Sequence, residues 1–141
     1  MYLISHRGAA GLAPENTLEG IKTAKKFKVD AIEVDVRPTK DSRLVLCHDH
    51  TLLRKAGNLS NVADMTLRQI QTTVTSSGHP IPTLEEAIEE AGKTTLELDL
   101  KGDGWAGPLI DILDQHKNSR FMVCSENHSE LIRFCVLANG R

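Results

Sequence analysis

An α/β fold built on a parallel sheet is predicted by three observations. Short apolar runs of strand length alternate along the chain with segments of helical spacing. Two of these runs, Ala31-Ile32-Glu33-Val34-Asp35-Val36-Arg37 and Leu96-Glu97-Leu98-Asp99-Leu100-Lys101, place polar groups at every second position. Polar residues also gather where runs end: His6-Arg7, Glu33-Asp35-Arg37, His48-Asp49, Asp99-Lys101 and Ser125-Glu126. Alternating strands and helices imply parallel βα units. In parallel barrels the C-terminal strand ends build the active site.

Residues 2–5 read as the first strand. Asn16-Thr17-Leu18-Glu19 resembles a capping box with Asn16 as the cap, and Pro14 marks the approach. The helix it opens runs to about Phe27, with Ile21, Ala24 and Phe27 on the buried face. Residues 31–37 form the second strand, 39–42 a turn, and 44–47 a short third strand leading into His48-Asp49. Residues 51–81 are polar, with Gly57, Asn58, Asn61, Ser76, Ser77 and Gly78. They read as an insertion with one short helix after Thr66. Thr83-Leu84-Glu85-Glu86 is a capping box whose helix ends near Ala91, where Gly92 supplies the stop. Residues 95–100 are the fourth strand. Pro108 opens a further helix, 121–124 are the fifth strand, and 129–138 are a last helix stopped by Gly140.

The 141 residues amount to about one domain. A 40% apolar and 26% charged composition is that of an ordinary globular chain. Its net charge of -2 lends no support to nucleic-acid binding. No apolar run reaches membrane-spanning length. Met1 leads straight into the first strand, which leaves no room for a signal peptide. Cys47, Cys124 and Cys135 have no metal-type spacing and read as small buried apolar groups in a reducing, cytoplasmic compartment.

Side chains alternate across a strand, so Glu33 and Asp35 share one face, and so do Glu97 and Asp99. Both faces of a parallel sheet are covered, and carboxylates held there need a cation. Their oxygens suit Mg²⁺ or Ca²⁺ rather than zinc. His6 and His48, at two strand ends, can serve as base and acid near neutral pH. Arg7 and Lys101 offer fixed positive charge to a phosphate. Each also has a plain structural reading. The acids could form a solvated face of an antiparallel strand, and the histidines could be hydrogen-bonded structural groups. Arg7 could salt-bridge Glu33, and Lys101 could be a turn residue. Trp105, in a Gly-rich loop, reads as a loop anchor or a pocket wall.

Together, His6-Arg7-Gly8, Pro14-Glu15-Asn16-Thr17, Glu33-Val34-Asp35, His48-Asp49, Ile81-Pro82-Thr83-Leu84-Glu85-Glu86 and the Lys101 strand end resemble the glycerophosphodiester phosphodiesterase family, a TIM-barrel group. The resemblance implies metal-dependent hydrolysis of glycerophosphodiesters to glycerol 3-phosphate and an alcohol. His6 and His48 match the family's acid–base pair. Glu33 and Asp35 match ligands of the divalent metal, together with a further acid from the fourth strand. Arg7 and Lys101 match its phosphate-binding residues. The implied mechanism has the glycerol 2-hydroxyl attack phosphorus, after which water opens the cyclic phosphate. Residues 51–81 correspond to the family's inserted subdomain. Related activities on the same scaffold are a lysophospholipase D and a sphingomyelinase D-like phosphodiesterase.

Two departures stand out. Where the family usually has Glu two residues before the strand-four Lys, this chain has Asp99, one methylene shorter, with Glu97 as a substitute ligand. A TIM barrel takes about 250 residues and eight strands. Residues 1–141 therefore read as the N-terminal part of a partial (β/α)8 barrel of about five parallel strands. Asn139-Gly140-Arg141 reads as an interrupted helix–strand connection. The alternative is a non-catalytic half-barrel that needs a partner chain, its open edges prone to self-association.

Overall fold

The centre of the molecule is β2, Ala31–Pro38, which pairs on both sides. In this computed structural model, which describes residues 1–140, β1 (Ile4–Ser5), β2, β6 (Thr95–Leu100) and β7 (Phe121–Cys124) form a parallel sheet in the order β1-β2-β6-β7. The fifth strand of the sheet, β3 (Leu44–Leu46), runs antiparallel to β2. It departs from an all-parallel set because the turn at 39–42 is far too short for a crossover.

The strand alternation places Ile32, Val34, Val36, Leu96, Leu98 and Leu100 in the core, each essentially inaccessible. Packed on that face are α1 (Leu18–Lys26), α4 (Leu84–Ala91), α5 (Ala106–Gln115) and α6 (His128–Asn139), through residues such as Ile21, Ile88, Leu109 and Leu131. Burying each such Ile or Leu stabilises the fold by about 1.5–3 kcal/mol. The opposite face carries Glu33, Asp35, Glu97 and Asp99.

The capping box of α4 forms as expected. The Thr83 hydroxyl accepts from Glu86 N, and the Glu86 side chain accepts from Thr83 N. Helix α1 differs from expectation in two respects. Its cap is Thr17, whose hydroxyl accepts from Gly20 N at 3.0 Å, because the Asn16 side chain is engaged elsewhere. Phe27 lies just past the last turn and is 60% exposed, beside Leu3, Ile4 and Leu12 along the outer edge of β1. Among the described residues no strand covers that edge.

Residues 51–81 are more structured than their composition suggests. They hold β4 (Thr51–Leu52), α2 (Leu53–Ala56), β5 (Asn58–Asn61), a 3₁₀ turn (Val62–Asp64) and the expected helix after Thr66, α3 (Leu67–Gln71). Leu52, Val62, Met65, Ile70 and Ile81 close a small second core onto Val45 and Cys47 at the back of β3. Trp105 is a loop anchor, fully buried, with its ring 6.0 Å from that of Phe134. Of the cysteines only Cys47 is buried. Cys124 is partly buried and Cys135 exposed, against the expectation for all three. Arg141, the last residue of the expected interrupted connection, lies outside the described residues. No helix among the described residues is long and apolar enough to cross a membrane.

Candidate active site

The loop after β1 bends sharply. Arg7 has φ +51° and Gly8 φ +84°, and Gly8 N donates to Glu33 O at 2.8 Å. A side chain at residue 8 would crowd α1, since a Cβ there would lie 3.1 Å from Gly20 C and the backbone would have to give by a few tenths of an ångström. The His-Arg-Gly run thus lets the loop fold back against the start of α1. His6 is left exposed and Arg7 turned across the strand ends.

Three carboxylates converge beside it. The β2–β6 register pairs Glu33 with Glu97 and Asp35 with Asp99. Carboxylate oxygens of Glu33, Asp35 and Asp99 all lie within 4.8 Å of one another. Glu97 falls outside this cluster: it sits one step back along the strand with Cys124 Sγ 3.9 Å away, and its Oε2 is buried without a hydrogen-bond partner. Asp99, despite its shorter side chain, is the fourth-strand acid that reaches the other two.

Asp35 is 2% exposed and the most heavily tied. Its Oδ2 accepts from Asn16 Nδ2 at 2.8 Å and lies 3.3 Å from Arg7 Nε. Its Oδ1 lies 3.3 Å from Lys101 Nζ, and its backbone N–H donates to Asn16 Oδ1 at 3.0 Å. Lys101 Nζ also donates to Asp99 Oδ2 at 2.6 Å. Burial alone would pull the Lys101 ammonium down, yet Asp99 and Asp35 together hold it above its usual range. Glu33 accepts from Arg7 N at 2.6 Å. Burial pushes its carboxyl upward, the negative charges of Asp35 and Asp99 add to that push, and the Arg7 hydrogen bond and His6 oppose it only in part. Glu33 thus remains short of positive charge, and the donor set is all oxygen. Both properties fit a hard divalent cation.

His48 follows β3, whose end is fastened to β2 by Cys47 N donating to Asp35 O at 3.0 Å. Its Nδ1 is 2.8 Å from Asp49 Oδ1, and Arg37 Nε donates to its carbonyl at 2.9 Å. Burial raises the Asp49 carboxyl, but hydrogen bonds from Arg54 and His48 outweigh it and bring the pKa down to about 2. A cleft of about 310 Å³ lined by Arg37, Asp99, Lys101, Gly102 and Asn127 opens at this end of the sheet. Burial lowers the Arg37 guanidinium within it.

All the acids, cations and histidines read from the sequence thus lie at the C-terminal end of the sheet, with Glu97 alone set back. Arg7 is ion-paired to Glu15 and Asp35, and only its backbone N–H bonds Glu33. Read from the sequence alone, Asn16 is a cap, and Glu15, Arg37 and Arg54 carry no role. One signal for Asn16 was available: Asn is among the few residues that adopt φ > 0 readily, and its φ is +53°.

Comparisons with known proteins point to one family. The model of the Glycerophosphoryl diester phosphodiesterase family matches residues 6–105. The chain is 36% identical over 134 residues to a glycerophosphodiester phosphodiesterase of Bacillus subtilis, covering 81% of this chain and 46% of that protein. It is 28% identical over 152 residues to a lysophospholipase D of Mus musculus, covering 97% of this chain and 48% of that protein. The chain therefore spans about half the length of these curated relatives. Among solved structures it is similar to an Oleispira antarctica phosphodiesterase in complex with the product sn-glycerol-3-phosphate. The TM-score is 0.86 at 28% identity, over 94% of this chain and 60% of that one. Its partial parallel barrel is that of these neighbours, and with a match running from His6 to Trp105 the chain belongs to the glycerophosphoryl diester phosphodiesterase family.

Proposed function

We propose that this site hydrolyses glycerophosphodiesters to glycerol 3-phosphate and an alcohol, with Mg²⁺ or Ca²⁺ held by Glu33, Asp35 and Asp99. The observation that carries the reading is the meeting of those three carboxylates within 4.8 Å, with Arg7 and Lys101 on either side of Asp35. The product held by the Oleispira antarctica relative supports the substrate class. The bound cation would polarise a phosphoryl oxygen and offset charge developing on it.

This chain's own residues do the rest. Arg7 and Lys101 donate N–H groups to the phosphate and fix its orientation. One of His6 and His48 takes the proton of the glycerol 2-hydroxyl as that oxygen bonds to phosphorus. The other gives a proton to the departing alcohol oxygen as its P–O bond breaks. A water molecule then attacks the cyclic phosphate, losing a proton to one imidazole while the 2-oxygen leaves and is protonated by the other. The outcome is glycerol 3-phosphate, with both histidines restored. Asp49 accepts from His48 Nδ1 and thereby leaves Nε2 for this exchange.

Residues 1–141 are read as the N-terminal part of the barrel, with 51–81 inserted, and the β1 and β7 edges, unpaired among the described residues, as covered by further βα units or by a second copy. The murine relative favours a second substrate reading, cleavage of lysophospholipids to the lysophosphatidic acid and free headgroup. Both readings share the phosphate-handling residues.

The test is release of glycerol 3-phosphate from glycerophosphocholine by the protein carrying this chain, beside choline release from lysophosphatidylcholine. Activity falls in EDTA and returns with Mg²⁺ or Ca²⁺. D99N loses cation affinity in calorimetry, whereas E97Q keeps it. H6A and H48A each lower turnover by at least about 100-fold. Near-wild-type turnover in both histidine variants would rule out the acid–base assignment, and unchanged cation binding in D99N the ligand assignment.

A further inference from the structure

The insertion reaches into the site most directly through Arg54. Arg54, on the short α2, donates from Nε to Asp49 Oδ2 and from Nη2 to Glu15 Oε1, both at 2.7 Å. Each carboxylate has a second partner in the site: Asp49 Oδ1 is 2.8 Å from His48 Nδ1, and Glu15 Oε2 accepts from Arg7 Nη1 at 3.2 Å. We propose that Arg54 is a positioning residue, which sets the ring of His48 through Asp49 and the guanidinium of Arg7 through Glu15. The proposal rests on the acid–base and phosphate-binding roles given above for His48 and Arg7.

The chemistry requires arginine. A guanidinium is planar and offers donors in fixed directions, so a single side chain can hold two separate carboxylates. A lysine ammonium is a point charge on a flexible stem and would hold one well. The arginine is itself well anchored. Its neighbour Lys55 donates from Nζ to Glu15 O at 3.2 Å, and Ser76 N donates to Lys55 O at 2.7 Å. The left-handed Gly57, φ +65°, ends the helical turn directly afterwards. Residues 51–81 thus clamp the loop after β1 to the loop after β3, which no strand pairing joins among the described residues. Asp49 and Glu15 are both held below the usual carboxylate range, with Arg54 a main cause for each. Each therefore stays ionised, able only to accept, so the proton between Asp49 and His48 sits on Nδ1.

Arg54 is 49% exposed and contributes nothing to either apolar core. Its loss should leave folding intact, since exposed ion pairs stabilise little. In the protein carrying this chain, R54Q is expected to lower kcat/KM on the order of tenfold to a hundredfold, as when outer-shell partners of ligands are removed. The fall should be shared between kcat, through His48, and KM, through Arg7. R54K should recover one of the two. R54Q should still unfold cooperatively, with its thermal midpoint lowered only modestly.

An independent readout needs no turnover. Long-range ¹H–¹⁵N correlation spectra of the imidazoles, with His48 assigned by its loss in H48Q, should show Nδ1–H in the wild type and a shift toward Nε2–H in R54Q. Unchanged kcat and KM together with an unchanged tautomer in R54Q would overturn the proposal. If R54Q does not fold, R54K decides: wild-type kcat, KM and tautomer in that variant would overturn it equally. A wild-type protein inactive on every phosphodiester would refute the proposed function instead, and the tautomer comparison would still judge the linkage from Arg54 to His48.

Discussion

Replacing Asn16 by alanine tests the centre of the site. The side chain is fully buried and meets Asp35 twice: Nδ2 donates to Oδ2 at 2.8 Å, and Oδ1 accepts from the Asp35 N–H at 3.0 Å. A hydrogen bond to a charged group is worth about 1.5–3 kcal/mol, and a buried N–H left without an acceptor costs about 1–3 kcal/mol. Asn16 also has φ +53°, where alanine is strained by about 1–2 kcal/mol. The combined expectation for N16A is a loss of about 5 kcal/mol, a large part of the roughly 5–15 kcal/mol that holds a domain together.

Urea titration followed by the fluorescence of Trp105, the single tryptophan and fully buried, measures this loss. N16G removes both hydrogen bonds while relieving the backbone strain, so it should be about 1 kcal/mol more stable than N16A. N16D keeps an acceptor for the Asp35 N–H but sets a second carboxylate against Asp35, so it should recover stability only as the pH is lowered. A loss below about 1 kcal/mol in N16A, or N16D as stable as the wild type at neutral pH, would refute the claim that Asn16 holds Asp35 in place.

Two further predictions follow from the geometry around it. G8A should lower stability by about 1–3 kcal/mol, since it combines φ +84° with a Cβ 3.1 Å from the backbone of Gly20. G11A has φ +94° but no atom within 4 Å, so it suffers the strain without the crowding and should be destabilised less. Equal thermal midpoints for the two would remove the close approach from the account of the His-Arg-Gly run. Asp49 titrates at about 2 in the folded protein against an ordinary 3.8. Between those values the unfolded chain binds the proton first, so Asp49 stabilises the fold above pH 3.8, and that share is lost as the pH falls toward 2. D49N should flatten this part of the stability-against-pH curve, and an unaltered acid limb would count against the Asp49–Arg54 and Asp49–His48 bonds.

Much of the fold was legible because it rests on local rules. A period of two along residues 31–37 and 95–100 is a backbone property, so it put Glu33 beside Asp35, and Glu97 beside Asp99, on one face before any packing was known. Thr83 and Glu86 cap their own helix within a single turn. The run from His6 to Gly8 carried its reason in glycine, which alone tolerates the turn and the contact with Gly20. The direction of β3 and the end of α1 before Phe27 were harder to read. The first depends on whether a short turn can cross over, and the second on which residues the sheet edge covers.

What the sequence by itself determined was the inventory: which strands alternate, which acids share a face, and which residue types stand at each strand end. Only the tertiary structure decided the choices between distant partners. It selected Asp99 over Glu97 as the acid that joins Glu33 and Asp35, withdrew Asn16 from capping to hold Asp35, and brought Arg54 from the insertion between Asp49 and Glu15. The reason is physical. Alternation and capping act over a few residues, whereas register between strands and bonds between loops depend on how the core packs and on which buried polar groups must find partners.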